Sequence, residues 1–190
     1  HDTIRRRREL GIGFVPEDRM TTGLAVDASI EDNALIGAES SSRFSRGPFL
    51  RTGSISDYVR GLIDKFDIRG ARPGITAGSL SGGNMQKIIL SRELGRDPQL
   101  LVVAQPTRGL DIAASMFVRQ AIMEQKKRGA AVLLVTADLG ELLALSDRIA
   151  TTETLEKALR QLAAGQHDAM VVQTLAGENL IHELGLSKLE

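Results

Sequence analysis

The chain has 190 residues, with 24 basic and 24 acidic side chains and no cysteine. This length allows one core of roughly 150 residues plus an appendage. The balanced charge gives no reason to expect a nucleic-acid partner, and the lack of cysteine excludes disulfides and thiolate-bound metal. The longest apolar runs, residues 100–104 and 130–135, fall far short of the ~20 residues that span a bilayer, and the first residues show no signal-peptide pattern. Because the chain begins at His1 rather than Met, we expect a fragment or a processed product.

The first elements are a basic helix and a short strand. Residues 3–10 predict a helix that Gly11 ends, and residues 12–15 predict an apolar strand that stops at Pro16. The four consecutive arginines at 5–8 favour a solvated helix face over a binding patch.

A polar, irregular region follows, from residue 17 to about residue 53. Within it, residues 29–36 predict a helix that Ser29 caps, with Asp32 placed to complete a capping box. Gly47-Pro48 indicates a loop. Residues 56–66 place four apolar side chains at helical spacing, so a second helix closes this mostly helical insertion.

The rest of the chain alternates helices with buried strands. The predicted helices cover residues 83–94, 112–127 and 139–145, and the predicted strands cover residues 100–104, 131–136 and 146 to about 150. Continuous Val/Leu runs are typical of strands covered on both faces, so the pattern predicts an α/β fold with a doubly wound sheet. Residues 155–164 and 169–186 predict amphipathic helices. We therefore divide the chain into a domain at 1–150, with a helical subdomain at about 19–95, and a helical tail of unknown role at 151–190.

One motif opens the helix at residue 83, and it reads Ser79-Leu80-Ser81-Gly82-Gly83-Asn84. Paired glycines let backbone approach a ligand closely, and the start of a helix presents unpaired amides and a positive dipole end. Ser81 adds a hydroxyl donor, so a phosphate group would be well bound here. The alternative is an ordinary helix that Ser81 caps.

Two further segments follow the buried strands. The first reads Ala104-Gln105-Pro106-Thr107-Arg108-Gly109-Leu110-Asp111, and the second reads Thr136-Ala137-Asp138. Nowhere in the chain does Gly precede Lys, so the phosphate-binding loop Gly-x-x-x-x-Gly-Lys-Ser/Thr is not present.

These motifs, in this order, resemble those of the ATP-binding cassette ATPases, whose signature loop contacts ATP held by a partner domain. The resemblance covers residues 1 to about 150 and implies a truncated P-loop NTPase sheet. It also implies roles for single positions. The family's two strand-end acids, which hold magnesium and polarise the attacking water, are here Ala104 and Gln105. Ala137 stands where the family places a histidine, whereas Asp111 keeps the position that couples two facing domains. Since alanine cannot bind a cation and glutamine cannot accept a proton, we expect this chain alone to be inactive as an ATPase.

A fourth segment, Gly13-Phe14-Val15-Pro16-Glu17-Asp18-Arg19, resembles the second cassette of importer ATPases for simple sugars and nucleosides. Glu17 occupies the position where the usual cassette has a glutamine that senses the permease. The resemblance implies a degenerate second nucleotide-binding domain in which Ser79 to Asn84 close over ATP and Mg²⁺ shared with a partner cassette. The insertion would meet a transmembrane permease, and the chain would lie at the inner face of the cell membrane.

Two other classes of function stay open at this stage. One is a DNA-repair or chromosome-maintenance ATPase, which the absence of heptads and cysteines disfavours. The other is a non-catalytic interaction module that carries a vestigial signature. A cassette with an intact phosphate loop upstream in the same reading frame would favour the importer over the module.

Overall fold

The computed structural model describes residues 4–39, 41–151 and 169–172. It confirms the predicted α/β fold. The elements in chain order are α1 (Ile4–Glu9), β1 (Ile12–Val15), a π-helical turn (Arg19–Gly23), α2 (Ile30–Leu35), β2 (Ser45–Arg46), β3 (Phe49–Leu50), α3 (Thr52–Lys65), a 3₁₀ turn (Ala77–Ser79), α4 (Gly82–Leu94), β4 (Leu100–Ala104), α5 (Ile112–Lys127), β5 (Ala131–Val135), α6 (Leu139–Leu145), β6 (Arg148–Thr151) and β7 (Ala169–Val172). None of the described helices is long and apolar enough to cross a membrane.

The main sheet has five strands in the order β1-β4-β5-β7-β6, and every pair in it is parallel. In this register Ala104 lies beside Val135, so β4 and β5 end at the same edge. In a parallel sheet the loops that follow neighbouring strands therefore meet, and this geometry places the candidate site.

Several sequence predictions are confirmed at the level of single residues. Gly11 ends α1 with a φ of 78°. Ser29 caps α2, and its capping box with Asp32 is complete in both directions. The strand expected from residue 146 is β6, which begins two residues later at Arg148.

One prediction is wrong. Residues 169–186 were expected to form a helix, but Ala169–Val172 form β7, which pairs with β5 and β6. Val171 and Val172 are β-branched, and a strand between two parallel neighbours pairs its backbone groups on both sides. The loop predicted at Gly47-Pro48 is confirmed as a turn, and it joins β2 and β3 into a hairpin whose strands were not predicted. The helix predicted at 155–164 and residues 173–186 of the other predicted helix lie outside the described residues.

Helix α4 lies at the centre of the fold, with every residue from Met85 to Leu94 buried. It carries a charged pair at its far end, where Arg92 Nε donates to Glu93 Oε1 at 2.7 Å and both side chains are about 95% buried. Arg92 Nη1 also donates to the carbonyl of Gly23 at 3.0 Å, and Glu93 Oε2 accepts from the amide of Phe14 at 3.3 Å. These bonds attach α4 to the π-helical turn and to β1, which fixes the position of the loop at its start.

Candidate functional site

The signature loop lies at the start of α4, where Ser81 is the N-cap. Its Oγ accepts from the Asn84 amide at 3.4 Å and from Asn84 Nδ2 at 3.1 Å. Asn84 is held in turn, because its Oδ1 accepts from the amide of Arg69 at 3.1 Å. Ser81 is therefore a helix cap, as the alternative interpretation required. As an acceptor in both bonds it keeps its own proton, and it is exposed, so the cap can also donate to a ligand.

The two glycines of the loop differ in their surroundings. A Cβ on Gly83 would lie 3.0 Å from the Cβ of Ala114, so the close approach of α4 to α5 favours glycine there. A Cβ on Gly82 would meet only the guanidinium of Arg19, at 3.8 Å, which is an ordinary contact. Neither glycine has a positive φ. Packing against α5 therefore explains why residue 83 is a glycine. No contact within the described residues explains why residue 82 is a glycine.

The three positions predicted to be degenerate, Ala104, Gln105 and Ala137, lie together at the ends of β4 and β5. Gln105 adopts a φ of 46°, its amide donates to the carbonyl of Val135 at 2.7 Å, and its Oε1 accepts from the amide of Ala137 at 3.3 Å. Ala104 precedes it at the end of β4. The Gln105 side chain thus joins the two strand ends, and no carboxylate is contributed by any of the three positions.

Asp111, the predicted coupling residue, is exposed and caps α5. Its Oδ1 accepts from the amide of Ala114 at 2.8 Å. Ala114 is also the residue that faces Gly83, so the start of α5 and the start of α4 are in direct contact. The structure therefore brings the Asp111 loop and the signature loop together.

A pair of arginines joins these loops to the Glu17 segment. Glu17 forms an ion pair with Arg108 Nη1, and Arg19 Nη2 donates to the carbonyl of Arg108 at 3.0 Å. The guanidinium of Arg19 also lies beside Gly82, and a Cβ on Gly109 would be 3.1 Å from its Nη2. The sequence analysis gave no role to Arg19 or Arg108. The only feature of the sequence that could have indicated a role for them is their place in the motifs, near Glu17 and before Asp111.

Next to Arg19, Asp18 begins the π-helical turn. Hydrogen bonds from the hydroxyl and amide of Thr21 and from the amide of Met20 lower the pKa of Asp18. The carboxylate therefore stays ionised while it caps the turn that leads away from the site.

Below the loop at Ala137 lies a buried carboxylate that the sequence analysis missed. Glu141 is 1% exposed, and its Oε2 accepts from the hydroxyl of Thr136 at 2.7 Å. Its Oε1 forms an ion pair with Arg119 Nε at 3.9 Å, and neither of these two atoms makes a hydrogen bond. Burial raises the pKa of Glu141, and hydrogen bonds from Thr136 and Thr107 partly oppose this rise. Glu141 thus links the end of β5 to α5, and only tertiary packing reveals it.

The donor set at this site suits a phosphate better than a magnesium ion. The described residues contain no group of three or more His, Cys, Asp or Glu side chains that could hold a metal. Ala104 and Gln105 also offer no carboxylate where β4 ends. The start of α4, with its free amides and the Ser81 hydroxyl, fits an anion. Residues of this chain could therefore contact the phosphates of ATP but do not fit as magnesium ligands.

The fold resembles that of solved ATP-binding cassette ATPase domains. A solved dimer described as a post-hydrolysis state of the ATP-binding cassette MJ0796, bound to ADP and Pi, superposes with a TM-score of 0.58 at 20% identity. The superposition covers 75% of this chain and 58% of that one. At this identity the likeness defines the fold alone. No protein-family model matches the chain.

Sequence relatives are import ATP-binding proteins for sugars and nucleosides. The chain is 46% identical over 141 residues to the glucose import ATP-binding protein TsgD13 of Haloferax volcanii. This alignment covers 73% of this chain and 26% of the relative. It is 41% identical over 175 residues to the guanosine import ATP-binding protein NupO of Bacillus subtilis. This second alignment covers 86% of this chain and 34% of the relative. The chain thus spans about a quarter to a third of the length of these curated relatives.

Proposed function

We propose that this chain is part of the ATP-binding subunit of an importer for sugars or nucleosides, and that it supplies the signature half of an ATP site to a partner cassette. The relatives named above support the transport class. The observation that carries the half-site is the difference between the glycines, because a Cβ on Gly82 would make only an ordinary contact with the Arg19 side chain, at 3.8 Å, whereas a Cβ on Gly83 would press on Ala114 at 3.0 Å. An open glycine beside a helix start is what close approach of a phosphate needs.

In this proposal the partner cassette binds ATP and Mg²⁺ through its own phosphate loop. The signature residues Ser79 to Asn84 then close over the γ-phosphate, with Ser81 and the first amides of α4 as donors. ATP favours the closed pair of domains and hydrolysis releases it, which is a shift between two populations. Since Ala104, Gln105 and Ala137 carry no acid or imidazole, the residues of this chain do not activate water.

The proposal extends to the surroundings of the site. Asp111, at the start of α5, faces the partner cassette, and Glu17 senses the permease through its ion pair with Arg108. The helical insertion that precedes α4 meets the permease, so the chain works at the inner face of the cell membrane. The degenerate half belongs to the second cassette of its subunit.

Calorimetry of ATP binding tests the half-site directly. The chain alone should bind Mg-ATP weakly or not at all. Mixed with a cassette that has an intact phosphate loop and a Glu-to-Gln change that traps bound ATP, it should associate only when ATP is present. Ser81→Arg should abolish this association. Because it also removes the N-cap of α4, it should lower the free energy of unfolding by about 1 kcal/mol, and circular dichroism should show that the variant is still folded. Tight binding by the isolated chain would contradict the proposal, and ATP-independent association would favour a plain interaction module.

A further inference from the structure

A basic hairpin projects from the fold between α2 and α3, formed by residues 43–51 with β2 and β3 as its strands. Its base is anchored, because Phe44 is 4% exposed and packs on the ring of Tyr58 with centroids 4.9 Å apart. Arg43 covers both rings, at 5.2 Å from the Phe44 centroid and 4.8 Å from that of Tyr58. The amide of Arg51 closes the hairpin by donating to the carbonyl of Phe44 at 2.8 Å.

The second strand of the hairpin, β3, is apolar and lies in solvent. Phe49 is 76% exposed and Leu50 is 53% exposed. Adjacent exposed residues of this size cost solubility and serve no packing role in the described structure. The anchored base holds Phe49 and Leu50 away from the core. In this position both side chains can contact another surface.

The charged side chains of the hairpin are all basic. Arg43, Arg46 and Arg51 are all exposed, and residues 40–56 contain no Asp or Glu. Arg46 lies directly opposite Phe49 in the strand register, so charge and apolar surface occur side by side.

Arg51 also stands at the N-cap of α3, where it makes no capping hydrogen bond and no acidic residue follows in the first turn. A helix start favours negative side chains, so this arginine opposes the stability of its own helix. Residues that break a local rule in this way mark a functional surface.

We propose that the basic hairpin docks on an anionic lipid surface, with Phe49 and Leu50 in the interfacial region and the three arginines on phosphate headgroups. Exposed aromatic and aliphatic side chains flanked by basic ones are the pattern of interfacial membrane contacts. The surface is separate from the nucleotide half-site. It belongs to the helical insertion that is proposed above to carry the permease contact, and binding to protein-free vesicles tests the lipid contact independently of that function.

Co-sedimentation of the whole chain with lipid vesicles tests the hairpin. The chain should bind vesicles of phosphatidylcholine and phosphatidylglycerol in equal parts, and it should bind pure phosphatidylcholine far less. Phe49→Ser should weaken binding about tenfold through the lost apolar contact. Arg46→Gln should weaken it about fivefold, since each basic residue at an anionic surface contributes about that factor. Added salt should weaken binding further.

Matched variants separate the hairpin from the general surface. Leu143→Ser removes a side chain that is 56% exposed on α6, and Arg60→Gln removes an exposed arginine of α3 that pairs with Asp57. Neither should change vesicle binding by more than twofold. Circular dichroism should show every variant to be folded, since all the replaced side chains are exposed. Absence of binding to the anionic vesicles would overturn the proposal, and so would equal losses in the hairpin and control variants. Equal binding to both vesicle types would overturn the proposal of an anionic surface, because the arginines would then contribute nothing to binding.

Discussion

Replacing each glycine of the signature loop by alanine should produce opposite effects on stability. Gly82 has no positive φ, and the new methyl group would meet only Arg19 at 3.8 Å. Gly82→Ala should therefore stabilise the fold by about 0.5 kcal/mol, because alanine restricts the unfolded chain more than glycine does.

Gly83→Ala brings the same gain but also a contact of 3.0 Å with the Cβ of Ala114, which is too short by a few tenths of an ångström. Overpacking of this kind costs about 1–3 kcal/mol, so the net change should be destabilising. Adding Ala114→Gly should restore most of the loss, since it removes the atom that clashes.

Denaturant unfolding measures these free energies, and ATP-dependent association with a trapped partner cassette measures the function. Gly82→Ala should combine a more stable fold with association at least tenfold weaker, because the methyl group fills the space through which phosphate approaches. If Gly82→Ala is stabilising and associates like the parent chain, the reasoning from open space to a phosphate contact is refuted. If Gly83→Ala is as stable as the parent, the close approach of α4 to α5 is not as described.

Three further predictions follow from the polar contacts of the fold. Glu93→Gln should destabilise the chain by about 3–5 kcal/mol in denaturant unfolding, since it leaves the Arg92 charge buried without its partner; a loss below about 1 kcal/mol would contradict the buried pair. Gln105→Glu should not create measurable ATP hydrolysis in a phosphate-release assay, because Ala104 and Ala137 still replace the magnesium-binding acid and the histidine of the family. Multiple turnovers by this variant would show that these two groups are not needed. The raised pKa of Glu141 means that the folded chain holds its proton more tightly than the unfolded chain. Its stabilising contribution should be complete below its ordinary value of 4.5 and should decline as the pH rises through the higher folded-state pKa. Glu141→Gln should flatten this part of the stability profile, and an unchanged slope would contradict the assignment.

The sequence predicted those features that depend on neighbours along the chain. The capping box of Ser29 and Asp32 and the end of α1 at Gly11 are local, so pattern and capping chemistry sufficed.

Other features depend on contacts that no local pattern contains. The strands of the hairpin are two residues long, too short for a period of two to be visible. The position of β7 is set by pairing with β5 and β6 rather than by its own periodicity. Glu141 and Arg19 acquire their roles from residues far away in the chain, such as Arg119 and Arg108.

Helix α4 is enclosed by the rest of the fold over ten consecutive residues. Its 13 residues span about 20 Å, with Ser81 at one end and the Arg92–Glu93 pair near the other. That pair is bonded to Gly23 and to Phe14 of β1. One buried helix therefore connects the exposed signature loop to the edge strand of the sheet and to the turn that precedes the helical insertion.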